Sequence, residues 1–206
     1  MSTLARLRKN TLFETVFLVA IALGLALSVQ AYAVKPYRIP SQSMEPTLKV
    51  GQRVLVDRLT HRLGSDPSVG DIIVFHPPVT ADAQTCGRPG QGGGTQYPCS
   101  MPVSKHASDN FIKRVVAVGG DTISIRHGHV IRNGVMAKEP FAAACSDATE
   151  QCTFSHPITV PKGYVFVMGD NRGESDDSRY WGPVPISWVI GDAIATYWPP
   201  DRIGGV

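Results

Sequence analysis

The stretch "NFIKRVVAVGGDTISIRHGHVIRNG", residues 110–134, decides the fold class. Its runs of β-branched residues are short, and "GGD" and "RNG" are turn and hairpin signals. The same pattern recurs in "QRVLVDRL" (52–59), "DIIVFHP" (71–77), "ITVPKGYVFVMGD" (158–170) and "WVIGDAIATYW" (188–198). Helical periodicity is weak everywhere outside the N-terminal segment, so the body of the chain reads as mostly β. Strand alternation puts Phe111, Lys113, Val115 and Ala117 on one face and Ile112, Arg114, Val116 and Val118 on the other. A lysine on an otherwise apolar face is out of place.

Two segments interrupt the strands. Residues 80–110 are polar and rich in Gly and Pro, too long for an ordinary connection, and read as an extended loop. Residues 128–157 carry little β signal after Met136 and read as a small inserted lobe. The expected organisation is a short basic tail (1–13), an apolar anchor (14–34), a β core from 35–127 and 158–206, and the lobe between them.

The N-terminal segment "VFLVAIALGLALSVQAYAV" runs from Val16 to Val34 without a charge, after Arg6, Arg8 and Lys9. Its strongest part, Val16 to Leu27, suits a cleavable secretory signal, and "AYA" at 31–33 suits its cleavage site. The whole run to Val34 suits a single membrane-spanning helix. Periodicity leaves both open. In either case the positive flank stays in the cytoplasm and everything after Val34 lies on the outer side. A net charge of +3 with no basic tract interleaved with aromatics excludes nucleic acid as a partner.

The four cysteines suit an oxidising compartment. Cys86 and Cys99 bracket one polar segment and Cys145 and Cys152 another, so two local disulfides are the simplest pairing, with four free thiols as the alternative. No CxxC spacing occurs and the histidines form no four-ligand set with the cysteines, so zinc is not expected.

Ser43 lies between prolines 40 and 46, in a turn, where a serine is ordinarily a turn or cap hydroxyl. Lys113 gives it a second reading. At a pKa of about 10.4 only about one lysine in 2,500 is neutral at pH 7, a penalty of roughly 4.6 kcal/mol. Burial can lower a lysine pKa by about 3 to 5 pH units, and the neutral amine can then take a proton from an attacking serine. No GxSxG elbow is present, and "SDN" at 108–110 has neither SxxK nor KTG beside it. The third feature is "MGDNRGESDDSRYWG" (168–182), where Arg172 and Arg179 stand among Asp170, Glu174, Asp176 and Asp177. Such a density suits a hydrogen-bonded network, which Arg114 can join.

Taken in order, "IPSQSMEPTLKVGQRVLVDRL" (39–59), "GDIIVFHPP" (70–78), "FIKRVVAVGGD" (111–121) and "GDNRGESDDSRYWG" (169–182) resemble the bacterial type I signal peptidases, membrane-bound Ser-Lys endopeptidases. The resemblance covers nearly the whole chain except 80–110 and 128–157. It implies an N-terminal transmembrane helix followed by an extracytoplasmic pair of coiled antiparallel β-sheets, and it favours retention of the N-terminal segment as an anchor. It implies Ser43 as nucleophile and Lys113 as general base, with the Ser41 hydroxyl and the Ser43 backbone N–H as oxyanion hole. Ser175 would orient Lys113. Asp177, Arg179 and Arg114 would form the supporting ion network, braced by Asp170, Asn171 and Arg172. Ile39, Met44, Leu48 and Phe111 match residues that line shallow substrate pockets, as does Ile112, which alternation points away from Lys113.

The implied substrates are preproteins with signal peptides, bound as an added strand with small residues before the cut. The lipid bilayer and the export machinery are the other implied partners, and no metal or organic cofactor is implied. The implied place is the cytoplasmic membrane, crossed once, with the N-terminus in the cytoplasm. Two other readings remain: a Ser-Lys peptidase with one dedicated substrate, of the pilin or conjugation type, and a non-catalytic envelope β-protein.

Overall fold

The computed structural model describes residues 3–148 and 151–206. Helix α1, Thr3–Tyr32, opens the chain, and its described side chains cover residues 11–27. All of these are exposed, including Leu12, Phe13, Phe17, Leu23 and Leu27. Among the described residues no helix is long and apolar enough to cross a membrane. The expected 14–34 span runs past Leu27 onto side chains outside the described residues, as do those of Arg6, Arg8 and Lys9.

The body is two antiparallel sheets. The larger takes β1 (Val34–Arg38), β2 (Arg53–Asp57), β11 (Val189–Trp198), β3 (Ile72–Phe75), β4 (Phe111–Val118), β9 (Tyr164–Met168) and β10 (Val184–Pro185) side by side, and β12 (Gly204–Gly205) pairs with β11. The smaller runs β7 (Val135–Met136), β6 (His129–Arg132), β5 (Thr122–Arg126) and β8 (Phe154–Thr159). Two short helices complete it, α2 (Leu59–Arg62) and α3 (Ser178–Trp181). The expected mostly β, antiparallel body is present. The lobe expected at 128–157 contributes β6, β7 and the start of β8 to the smaller sheet, and a disulfide, Cys145–Cys152, clips it. A second disulfide, Cys86–Cys99, ties the 80–110 loop.

Two apolar clusters hold the body. One gathers Ile73, Phe75, Val115, Phe166, Trp181 and the inward face of the smaller sheet; the other gathers Ile39, Met44, Leu48, Val54, Val56, Val74 and Ile112. Strand β4 runs between them, which is why both of its faces are largely buried. Its alternation breaks where the pairing with β9 slips between Val115 and Ala117. A bulge inserts one residue, so Val116, expected on the far face, joins Val115 and Ala117 in the first cluster. Lys113 precedes the bulge. It pairs with Ile73 of β3, so its side chain shares a face with the first cluster's residues and is only 5% exposed.

Candidate active site

Ser43 sits in a single 3-10 turn, Gln42–Met44. The apolar side chains that flank it in sequence pin that turn down: Met44 and Leu48 are buried, and Leu48 N–H donates to the Met44 carbonyl at 2.9 Å. From the other side Asn171 N–H donates to the Ser43 carbonyl (3.1 Å) and Asn171 Nδ2 to the Gln42 carbonyl (3.3 Å). Gly169 passes so close that a Cβ there would collide with both the Ser43 carbonyl and the Ser175 side chain. Only glycine lets the two segments approach this far.

Lys113 Nζ lies 2.7 Å from Ser43 Oγ in hydrogen-bonding geometry, and Ser41 Oγ donates to Ser43 Oγ at 3.3 Å. Burial pushes the Lys113 amine down from 10.5 to about 8, against the opposing charges of Asp177 and Asp176. At that value about a tenth of the molecules carry a free base at pH 7, roughly 200- to 300-fold more than for an ordinary lysine. An amine in this state, in contact with a serine hydroxyl, can accept its proton as the oxygen attacks a carbonyl.

The polar network behind the pair is buried and consists of separate ion pairs rather than one cluster. Arg179 Nε and Nη2 grip both oxygens of Asp177 at 2.8 and 2.9 Å, and neither residue is exposed. Burial raises the Asp177 carboxyl, but the Arg179 charge and hydrogen bonds, the Gly169 N–H and Lys113 outweigh it and hold the group below its usual value. Arg114, expected beside Asp177 and Arg179, instead holds Asp170 with two bonds of 2.8 and 2.7 Å. It leaves β4 on the face opposite Lys113, which turns it toward Asp170. Thr47 Oγ1 adds a third bond to Asp170 at 2.5 Å.

Arg172 takes a partner that sequence reading did not single out, the buried Glu139, at 2.8 and 3.0 Å. Ser175, expected to hydrogen-bond Lys113, makes no such bond here: its buried Oγ lies against Gly169 and has no hydrogen-bond partner among the described residues.

The serine and lysine open into a cavity of about 290 Å³ walled by Ser41, Phe111 and Ile112, with Glu174 and Asp176 also lining it. Ile112 lines it despite its outward alternation. Ile39, Met44 and Leu48 lie in the second core cluster instead, supporting the turn from below. A larger open cavity of about 850 Å³ lies between residues 47–52 and the C-terminal residues 198–206, and neither Ser43 nor Lys113 lines it. Among the described residues no group of histidine, cysteine and acidic side chains could hold a metal ion.

Residues 12–198 match the family described as "Signal peptidase, peptidase S26". The chain belongs to this family. It is 36% identical to the probable signal peptidase I-1 of Synechocystis sp. over 93% of this chain and 85% of that one. It is likewise 36% identical to the probable signal peptidase I of Mycobacterium leprae, over 97% and 80% of the two chains. Similarity extends to thylakoidal processing peptidase 1, chloroplastic, of Arabidopsis thaliana, at 34% identity over 88% of this chain and 47% of that one. The peptidase is a serine endopeptidase by family, and in its fold a buried lysine amine lies against the Ser43 hydroxyl.

Proposed function

We propose that this peptidase removes N-terminal signal peptides from exported preproteins through an acyl-enzyme on Ser43, with Lys113 as its general base. The observation that carries the assignment is the 2.7 Å approach of a buried lysine amine to a serine hydroxyl at the floor of an open cavity. In the first half-reaction Ser43 Oγ attacks the scissile carbonyl while neutral Lys113 Nζ takes its proton, and the resulting ammonium protonates the leaving amine. The developing oxyanion is met by the Ser41 hydroxyl and the Ser43 backbone N–H. Lys113 then takes a proton from the water that cleaves the ester. Arg179 and Asp177 supply a fixed, nearly neutral background behind the ammonium as it forms and disappears.

The substrate lies as an extended strand across the cavity, its small side chains accommodated beside Phe111 and Ile112. Helix α1 anchors the body in the cytoplasmic membrane, crossing once from a cytoplasmic N-terminus. The support is its run of exposed apolar side chains from Leu12 to Leu27, interrupted by a single charge at Glu14. The same anchor keeps the cavity near the outer membrane surface, where signal peptides emerge.

The test is cleavage of a preprotein by detergent-solubilised protein. Ser43→Ala and Lys113→Ala each abolish cleavage, and full activity in either variant would sink the dyad.

A further inference from the structure

The lobe segment 139–145 touches the catalytic region at three positions of different chemistry. Glu139 holds Arg172 through both carboxylate oxygens, at 2.8 and 3.0 Å, and accepts a third bond from Val130 N–H at 2.9 Å. The Phe141 ring lies 4.1 Å from the Arg114 guanidinium carbon. Ala143 N–H donates to the Asp170 carbonyl at 2.8 Å. Cys145 stands where a Cβ on Gly128 would meet both it and Arg172. Three of these partners, Arg172, Arg114 and Asp170, are arginines of the polar network or part of the segment 169–172.

That segment is what fixes the nucleophile. Arg172 Nε donates to the Gly169 carbonyl at 2.9 Å, the Arg172 carbonyl accepts from Arg179 Nη2 at 2.7 Å, and Asn171 N–H holds the Ser43 carbonyl. Arg172 is 1% exposed, and its one carboxylate partner among the described residues is Glu139. Removing a single member of a buried ion pair leaves the other charge uncompensated, so the remaining partner rearranges or draws in water. Rearrangement of Arg172 moves Gly169 and Asn171, and with them Ser43. Glu139 lines no part of the cavity.

We propose that Glu139 is a positioning residue for catalysis, by which the inserted lobe holds Ser43 at its working distance from Lys113 through Arg172. The proposal rests on the peptidase reading above. A displacement of about 1 Å at the reacting atoms can cost about a hundredfold in rate. Because Glu139 lies outside the cavity, the loss falls on kcat and not on substrate binding.

The test uses the full chain in detergent with a preprotein substrate, measuring kcat and KM for the parent, Ser43→Ala and Glu139→Gln, and Tm for each. The expected result is kcat lowered about 10- to 100-fold in Glu139→Gln with KM changed less than about threefold. A second variant, Glu139→Leu with Arg172→Leu, removes both charges, and regains Tm without regaining kcat. It also decides the matter if Glu139→Gln fails to fold. A parental kcat in Glu139→Gln, or recovery of kcat along with Tm in the double variant, overturns the proposal and leaves only a structural role. A parent that cleaves nothing, or a Ser43→Ala variant as active as the parent, overturns the peptidase reading itself.

Discussion

Lys113 is the residue on which activity and stability pull apart. Its folded amine sits near 8, below the 10.5 of an exposed lysine, so the folded state gives up a proton that the unfolded chain keeps. The cost of holding it is fully present below pH 8 and fades as pH climbs from about 8 toward 10.5. Replacing it by methionine therefore abolishes cleavage and raises stability at pH 7, by up to about 3 kcal/mol, with the gain closing as pH rises through that window. Denaturant melts of both proteins at pH 7 and pH 10 check the sign. In the parent, kcat/KM increases about tenfold per pH unit below pH 8 and levels off above it, because only the free base takes the serine proton. A pH profile with its limb near 6 would assign the base to another group. Ser41→Ala lowers kcat by about 10² to 10³ if its hydroxyl is an oxyanion donor, and an unchanged kcat would leave that work to the backbone.

Among residues, Lys113 was legible because a charge interrupts a face that alternation makes apolar. Glu139 was not. Its partner stands 33 positions away, and no local pattern distinguishes a buried glutamate from a surface one.

At the scale of elements, the β-branched runs became strands because each could bury at least one face against the two clusters. Strand β1 escaped that reading: "VKPYR" opens on a single β-branched residue and carries a proline. Pro36 is admissible because β1 is the edge of the larger sheet, where a missing N–H leaves no partner unserved. The bulge in β4 was equally hidden, since it depends on the register of β9 and not on β4's own residues. Helix α3 follows the same logic of distant support. It is one turn long, and Asp177 caps it while neutralising Arg179. Asp177→Asn leaves a guanidinium buried with no countercharge and costs about 3–5 kcal/mol, measurable as a lowered midpoint in urea. A midpoint within error of the parent would show that Arg179 finds another partner or is hydrated.

Over the whole molecule, α1 runs into β1 with only Ala33 between them, and Arg58 N–H ties back to the Ala33 carbonyl at 2.8 Å. The apolar helix and the catalytic body are therefore joined without a flexible linker. If α1 is the anchor, the full chain stays with the membrane pellet in alkaline carbonate; release into the supernatant would mean that it merely lies on the surface. The order of the motifs was legible across the chain, whereas the way in which lobe and catalytic segment interlock was not, because it arises from packing between segments distant in sequence.

The buried amine has one more consequence, for chemical labelling. At pH 8 about half of Lys113 is free base, against less than about one per cent of an ordinary exposed lysine, and it faces an open cavity. Small electrophiles such as cyanate should carbamylate Lys113 ahead of the protein's other lysines. Loss of activity should then track one modified site in peptide mass maps, and a bound substrate peptide should shield it.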